Sequence, residues 1–253
     1  MADRDGAGSR SIRALDVLEA VAALDRVASA GDIATAANLP KATVHRLCNL
    51  LLEEGFLRRD VSGRGYELGD RTLRFAMNTV RGHGGRSERR AILEAVAKEI
   101  GETCNITMPT AEGMLYLDRV ESEWPLRIQL PPGSSVPFHC TASGKLYLAS
   151  LPPQARRRLI EKLSLDPLGP NTITDVDALC AEIDKVAKSK IGFENEEFIP
   201  GMICVAVPIS DANGRLLATL ATHGTVARMG AEKALAHVQL LRDAAADLAE
   251  AFE

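Results

Sequence analysis

The stretch from Asp32 to Gly69 constrains this chain more than any other. Its centre is Lys41-Ala42-Thr43-Val44-His45-Arg46-Leu47-Cys48-Asn49-Leu50-Leu51-Leu52-Glu53-Glu54-Gly55. Pro40 suits a first helical position, where a missing N–H costs nothing. Gly55 suits the left-handed residue that closes a helix. At ~100° per residue, Val44, Leu47, Cys48 and Leu51 fall on one apolar stripe. Ala42, His45, Arg46 and Asn49 lie opposite, with Lys41 and Thr43 at the edges. Lys, Thr, His, Arg and Asn are residue types that meet base edges and phosphates in a major groove. A shorter helix precedes this one, with Ile33, Ala34 and Ala37 as its stripe, and Asn38 can take the left-handed turn between them. Two short helices joined tightly form a helix-turn-helix.

A hairpin follows at once. Phe56 to Asp60 and Gly65 to Leu68 flank Val61-Ser62-Gly63-Arg64, a Ser-Gly turn. Arg58, Arg59 and Arg64 give this wing a positive edge for a phosphate backbone. Arg64, at the tip, is placed to reach a minor groove. The expected DNA contacts are therefore Lys41, Thr43, His45, Arg46, Asn49, Arg58 and Arg64.

The formal charge of −4 over 253 residues looks wrong for a DNA binder, but it is an average. Through Gly82 there are 12 Lys and Arg against 11 Asp and Glu, and beyond it 18 against 23. The head is weakly positive and the longer rear segment acidic. So weak a positive head implies modest nonspecific binding and a need to dimerise. The apolar content of 46% can fill packed cores. The five cysteines, Cys48, Cys104, Cys140, Cys180 and Cys204, are odd in number and scattered, which favours reduced thiols over a disulfide framework. There is no apolar signal core near Met1 and no apolar run of ~18 residues, so a cytoplasmic protein with no membrane partner is expected. The five histidines have no ligand spacing, so no metal or cofactor is expected.

The remaining elements read off in order. Ser11 can cap a first helix carrying Ile12, Leu15, Leu18 and Val21. Asp70 to about Gly82 reads as a linker helix, and Gly82-His83-Gly84-Gly85-Arg86-Ser87 as a hinge. The expected domains are 1–69, a linker over 70–86, and 87–253. Ser87 can cap the helix that opens the last of these. Two strands around Glu112-Gly113 form a hairpin, with a third expected over Leu126 to Leu130 and a loop over Pro131 to Pro137. Helices follow over Thr141 to Leu151, from Pro152-Pro153, and from a Thr174 cap. Strands over Met202 to Ile209 and Leu216 to Thr222 are joined through Asn213-Gly214, and a last helix runs from about Ala231 to Phe252. The fold class is α+β: a winged helix-turn-helix, a linker helix, and a mainly antiparallel sheet flanked by helices. In Cys140-Thr141-Ala142-Ser143-Gly144-Lys145 small residues open a helix, so its first N–H groups and positive dipole end could hold a carboxylate.

These phrases resemble the IclR family of bacterial transcriptional regulators. The matching stretches are Leu39 to Leu47, Glu54-Gly55-Phe56, Tyr66 to Gly69, Tyr116 to Ser122, His139 to Lys145, and Gly192 to Gly201. The family usually has a hydroxyl residue where this chain has Ala42, so one expected DNA contact is missing. The resemblance implies a GAF-like effector-binding domain and dimer contacts through heads and linker. Pairing of dimers is common in the family, and the residues leave homodimer and homotetramer both open. It aligns Ala142 and Ser143 with backbone donors of the effector pocket, and places Glu194, Cys204, Ala221 and His223 around it. Some members have a serine hydroxyl at the position of His223 and another near Ala221. Here one hydroxyl is lost and an imidazole gained; His223 can donate to an anionic oxygen and is expected to titrate near neutrality. The reading is an effector-responsive regulator, repressor or activator, whose partners are operator DNA and a small organic acid. The alternative is a hydrolase using Cys140, beside His139, or Ser143, with Lys145. Sequence neighbours seldom face one another correctly, and no third orienting residue is evident.

Overall fold

A computed structural model describes residues 10–24, 27–60, 63, 65–82, 86–125, 130 and 132–252. The chain divides into two compact units, Met1–Val80 and Arg81–Glu253.

The first unit contains helices α1 (Arg10–Ala23), α2 (Ala30–Ala36) and α3 (Lys41–Glu53), then strands β1 (Leu57–Arg59) and β2 (Tyr66–Leu68). Helix α4 (Asp70–Gly82) follows. α1 starts at Arg10, so Ser11 lies inside it and is no cap. α2 is fixed by a reciprocal box: the Ser29 hydroxyl accepts the Asp32 N–H at 3.2 Å, and the Asp32 carboxylate accepts the Ser29 N–H at 2.9 Å. Asn38 takes the left-handed turn (φ 50°) and Gly55 closes α3 at φ 73°. Pro40 is the N-cap, one position earlier than expected. Val17, Val21, Ile33, Val44, Leu47, Cys48, Leu51, Leu57 and Tyr66 form one buried core. β1 and β2 pair antiparallel, and Ala28 bridges Tyr66 on the outer side. Gly69 is needed where the chain leaves the wing, since a Cβ there would lie 2.4 Å from the Gly55 carbonyl oxygen.

The second unit runs α5 (Arg86–Ile100), β3 (Thr103–Pro109), β4 (Met114–Val120), β5 (Ser135–Val136), α6 (Ala142–Ser150), α7 (Pro153–Ile160), α8 (Val176–Ser189), β6 (Gly192–Asn195), β7 (Met202–Ser210), β8 (Leu216–Thr225), α9 (Ala231–Ala236) and α10 (Val238–Glu250). The sheet is antiparallel in the order β5-β4-β3-β8-β7-β6. α6 packs on β6, β7 and β8, and α8 packs on α6. The alternate residues of the strands, such as Ile106, Val205, Val207 and Leu220, serve the other face, where α5 and α10 pack.

Several boundaries differ from expectation. Ser87 is inside α5. Asp175, not Thr174, caps α8, because its carboxylate accepts the Ala178 N–H at 2.8 Å. The last helix is broken at His237 into α9 and α10. A two-residue strand, β5, pairs with β4 inside the segment expected to be a loop. The third strand expected at Leu126 to Leu130 and the centre of the expected hinge, 83–85, fall outside the described residues, apart from Leu130.

Candidate functional site

In the first unit, α3 turns Val44, Leu47, Cys48 and Leu51 inward. Burial pushes the Cys48 thiol up to about 11, so it is an inert core group. Lys41, Ala42, His45, Arg46 and Asn49 are exposed together and Thr43 is half-buried. Arg58 sits opposite Glu67 across the wing and pairs with it at 2.9 Å. Such an exposed pair contributes about 0–1 kcal/mol, so a phosphate can replace the carboxylate at little cost. Arg64 lies outside the described residues. Two arginines were not singled out in the sequence by what holds them. Arg59 stacks its guanidinium 4.3 Å from the Tyr66 ring centroid. Arg71 lies over the Phe56 ring and bonds both the carboxylate and the carbonyl of Glu54, tying the start of α4 to the end of α3.

In the second unit, the sheet register brings distant residues into rows. Glu194, Cys204, His223 and Thr103 are neighbours across β6, β7, β8 and β3. Gly192, Ala206, Ala221 and Asn105 form the next row. The small residues of that row let the start of α6 come down onto the sheet; a Cβ on Gly192 would meet the Ala142 carbonyl oxygen at 2.1 Å. Thr141 caps α6 by accepting the Gly144 N–H at 3.1 Å and donates to the Pro137 carbonyl at 2.6 Å. The Lys145 N–H bonds the Thr141 carbonyl. That arrangement leaves the amides of Ala142 and Ser143, the first two of the helix, without an intrahelical acceptor.

These two residues line a small cavity of about 20 Å³. Its wall also contains Asn105, Thr107, Tyr116, Glu194, Cys204, Ala221 and His223. All six residues expected around an effector therefore border one small space. In this form the space holds about one water-sized molecule, so a larger ligand has to push its walls apart.

The electrostatics of the cavity were less legible. Glu194 is 0% exposed, and its Oε1 accepts the N–H groups of Glu197 at 2.9 Å and Phe198 at 3.2 Å. Its Oε2 is buried with no hydrogen-bond partner among the described residues. Burial pushes this carboxyl up to about 7, against the pull of the two backbone N–H bonds. Lys145, 1% exposed, places its ammonium 2.6 Å from Glu197 Oε1. His223 is buried, and the donor-only guanidinium of Arg119 lies 3.4 Å from its Nε2. Asn105 Nδ2 lies 3.2 Å from the ring's Nδ1, so both ring nitrogens face N–H donors and a neutral imidazole can accept from only one of them. Desolvation, with the Arg119 charge, pulls the imidazole down to about 3. The expectation that His223 titrates near neutrality is overturned: it stays neutral because it is buried beside a cation.

The groups of the alternative, nucleophilic reading are differently engaged. Burial pushes the Cys140 thiol up to about 12. His139 Nε2 bonds the Asp166 carbonyl at 3.1 Å, and Lys145 is held by Glu197. None of these supplies a base to Cys140 or Ser143. The five cysteines are all free. Among the described residues no group of three or more His, Cys, Asp or Glu could hold a metal ion, and no helix is long and apolar enough to cross a membrane.

Two family models match the chain. "IclR helix-turn-helix domain" covers residues 12–61, and "Bacterial transcriptional regulator IclR C-terminal" covers 77–250. The chain belongs to the IclR family of transcriptional regulators. Among its relatives, a Cupriavidus necator protein described as probable transcriptional regulator SauR is 41% identical over 242 residues, 96% of each chain. The regulator BhcR of Paracoccus denitrificans is 28% identical over 245 residues, 96% of this chain and 88% of that one. Among solved structures, the IclR of Thermotoga maritima aligns with a TM-score of 0.63 at 27% identity, covering 95% of this chain and 97% of its own. An IclR homolog of Microbacterium hydrocarbonoxydans, complexed with 4-hydroxybenzoate, aligns with a TM-score of 0.60 at 26% identity, covering 96% and 98%. As an IclR regulator, the chain combines a DNA-binding helix-turn-helix with an effector-binding domain, so α3 and the cavity under α6 are its two candidate functional sites.

Proposed function

We propose that this regulator reads a two-half-site operator through α3 and changes its hold when a small organic acid enters the α6 cavity. The observation that carries this reading is the buried helix start with two uncommitted amides, at Ala142 and Ser143, opening into a space lined by polar side chains. The 4-hydroxybenzoate complex of a family member supports a carboxylate as the ligand class. On the DNA side, Arg46 and Asn49 read bases, while Lys41, Thr43, His45, Arg58 and Arg64 position the helix and wing on phosphates and groove walls. Residues 1–69 form the head, 70–86 the link, and 87–253 the sensing part. The protein works as a homodimer, in the cytoplasm, where its thiols stay reduced. A dimer matches two half-sites about one helical turn apart. It is a regulator without catalytic function, since His139 and Lys145, the bases nearest in sequence to Cys140 and Ser143, are engaged by the Asp166 carbonyl and Glu197.

A gel shift against the DNA upstream of the protein's own gene, repeated with a panel of carboxylates, tests this. One or more carboxylates should change operator affinity. Amines or sugars acting where carboxylates do not would contradict it.

A further inference from the structure

The cavity contains one feature that an anion-binding helix start does not explain. Glu194 brings a carboxyl group, 0% exposed, into the same small space that would take an effector carboxylate. Its two oxygens are treated differently. Oε1 accepts two backbone N–H bonds, at 2.9 and 3.2 Å. Oε2 has no donor near it among the described residues. An ionised oxygen buried without donors is costly, and two anions side by side in a buried space are costlier still. A proton on Oε2 removes both costs. It also creates a buried O–H at the cavity wall, which an acceptor on the ligand can take.

Resting on the effector-site reading above, we propose that Glu194 receives the effector as a neutral acid, donating its Oε2 proton to an oxygen of the bound carboxylate while the amides of Ala142 and Ser143 hold the anion. The group thereby selects for ligands with an acceptor at that point and links effector binding to pH.

The surrounding groups leave this role to Glu194. From the loop after β6, Glu197 is also pushed up by burial and its Oε2 has no hydrogen-bond partner among the described residues, but Lys145 of α6 at 2.6 Å pulls it back toward the ionised form, Glu182 of α8 stands 3.9 Å from the same ammonium, and Glu197 does not line the cavity. From β8, His223 is neutral, with Arg119 of β4 behind it. Tyr116 of β4, Cys140 before α6 and Cys204 of β7 are all pushed up by burial and stay protonated. The raised Glu194 carboxyl, at about 7, fits the same assignment.

The test uses the full chain, with 4-hydroxybenzoate, benzoate and acetate as probes in titration calorimetry from pH 6 to 8.5. Each pH is run in two buffers of different ionisation heat. The bound probe should weaken about tenfold per pH unit above neutrality, because only the protonated fraction is competent. Close to one proton should be taken up per probe bound at pH 8, and close to none at pH 6. Glu194→Gln keeps a donor in place of the acid and cannot titrate, so whatever affinity it shows should be flat with pH. Binding by wild type that is constant across this range, or that strengthens as pH rises, overturns the inference while the effector site stands. A cavity that takes none of the carboxylates at any pH overturns the site reading itself, and the inference with it.

Discussion

Helices α3 and α6 each carry a candidate functional site, and they do so in opposite ways. α3 is two-faced: Val44, Leu47, Cys48 and Leu51 are buried while His45, Arg46 and Asn49 are exposed. α6 is buried almost all round, from Ala142 through Leu146 and again at Leu148 and Ala149. A helix that must enter a groove has to show its chemistry on one side, and that asymmetry is written in its period. A helix that offers only its first backbone amides to a ligand needs small residues and close packing, and its side chains need no pattern. In the proposed reading, the one meets its partner with side chains and the other with main chain. Changes that break the second should therefore be felt first as loss of stability, and changes to the first as loss of binding.

The largest effect should come from Lys145. Lys145→Met leaves Glu197 buried beside the cavity with no cation, and should cost about 3 kcal/mol in denaturant unfolding. A loss near zero would mean that the ion pair does not anchor α6. On the other side, Arg46→Ala should cost about 1–3 kcal/mol of operator affinity at fixed salt if it reads a base, with no change in thermal stability. A uniform loss on all DNA sequences would reduce Arg46 to a phosphate contact.

The pH dependence of folding sharpens the same contrast, since the buried titratable groups line the cavity. His223 has a folded value of about 3 against an ordinary 6.5. Below pH 6.5 the unfolded chain takes up a proton that the folded chain refuses, so stability falls as pH drops toward 3. Glu194 acts with the opposite sign, losing stability as pH rises from its ordinary 4.5 to about 7. His223→Gln should therefore shrink the loss between pH 7 and pH 5 by about 2 kcal/mol relative to wild type. The smallest effect is expected at the head. Ser29→Ala removes half of the α2 capping box and should cost about 1 kcal/mol, seen as a lower melting temperature of the head.

The same contrast explains what could be read from the chain alone. The α3 face was legible because apolar residues recur at helical spacing between Pro40 and Gly55. The wing was legible from its turn residues, although Arg59 stacked on Tyr66 and Arg71 clamped to Glu54 depend on contacts no local pattern encodes. Glu194 lies in the acidic run Glu194-Asn195-Glu196-Glu197, which reads as solvated; only strand pairing with Cys204 and the turn after it bury Glu194 and Glu197 together. In sequence Lys145 reads only as a candidate base beside Ser143; its buried pairing with Glu197, 52 residues away, leaves no local mark. The misjudged titration of His223 has the same origin: its neighbours Asn105 and Arg119 are 118 and 104 residues away in sequence. The two-residue strand β5 is too short to leave any periodic mark.

The most direct measurement compares operator binding by fluorescence anisotropy in wild type, Arg46→Ala and Ala221→Leu, each with and without an active carboxylate from the gel-shift panel. Ala221→Leu puts bulk into the cavity beneath α6, far in sequence from the head. Wild type should bind and respond to the acid, Arg46→Ala should bind weakly, and Ala221→Leu should melt lower than wild type but, where folded, bind as wild type does and ignore the acid. An Ala221→Leu protein that responds fully to the carboxylate, or an Arg46→Ala protein with undiminished operator affinity, would contradict the division of labour between α3 and the cavity.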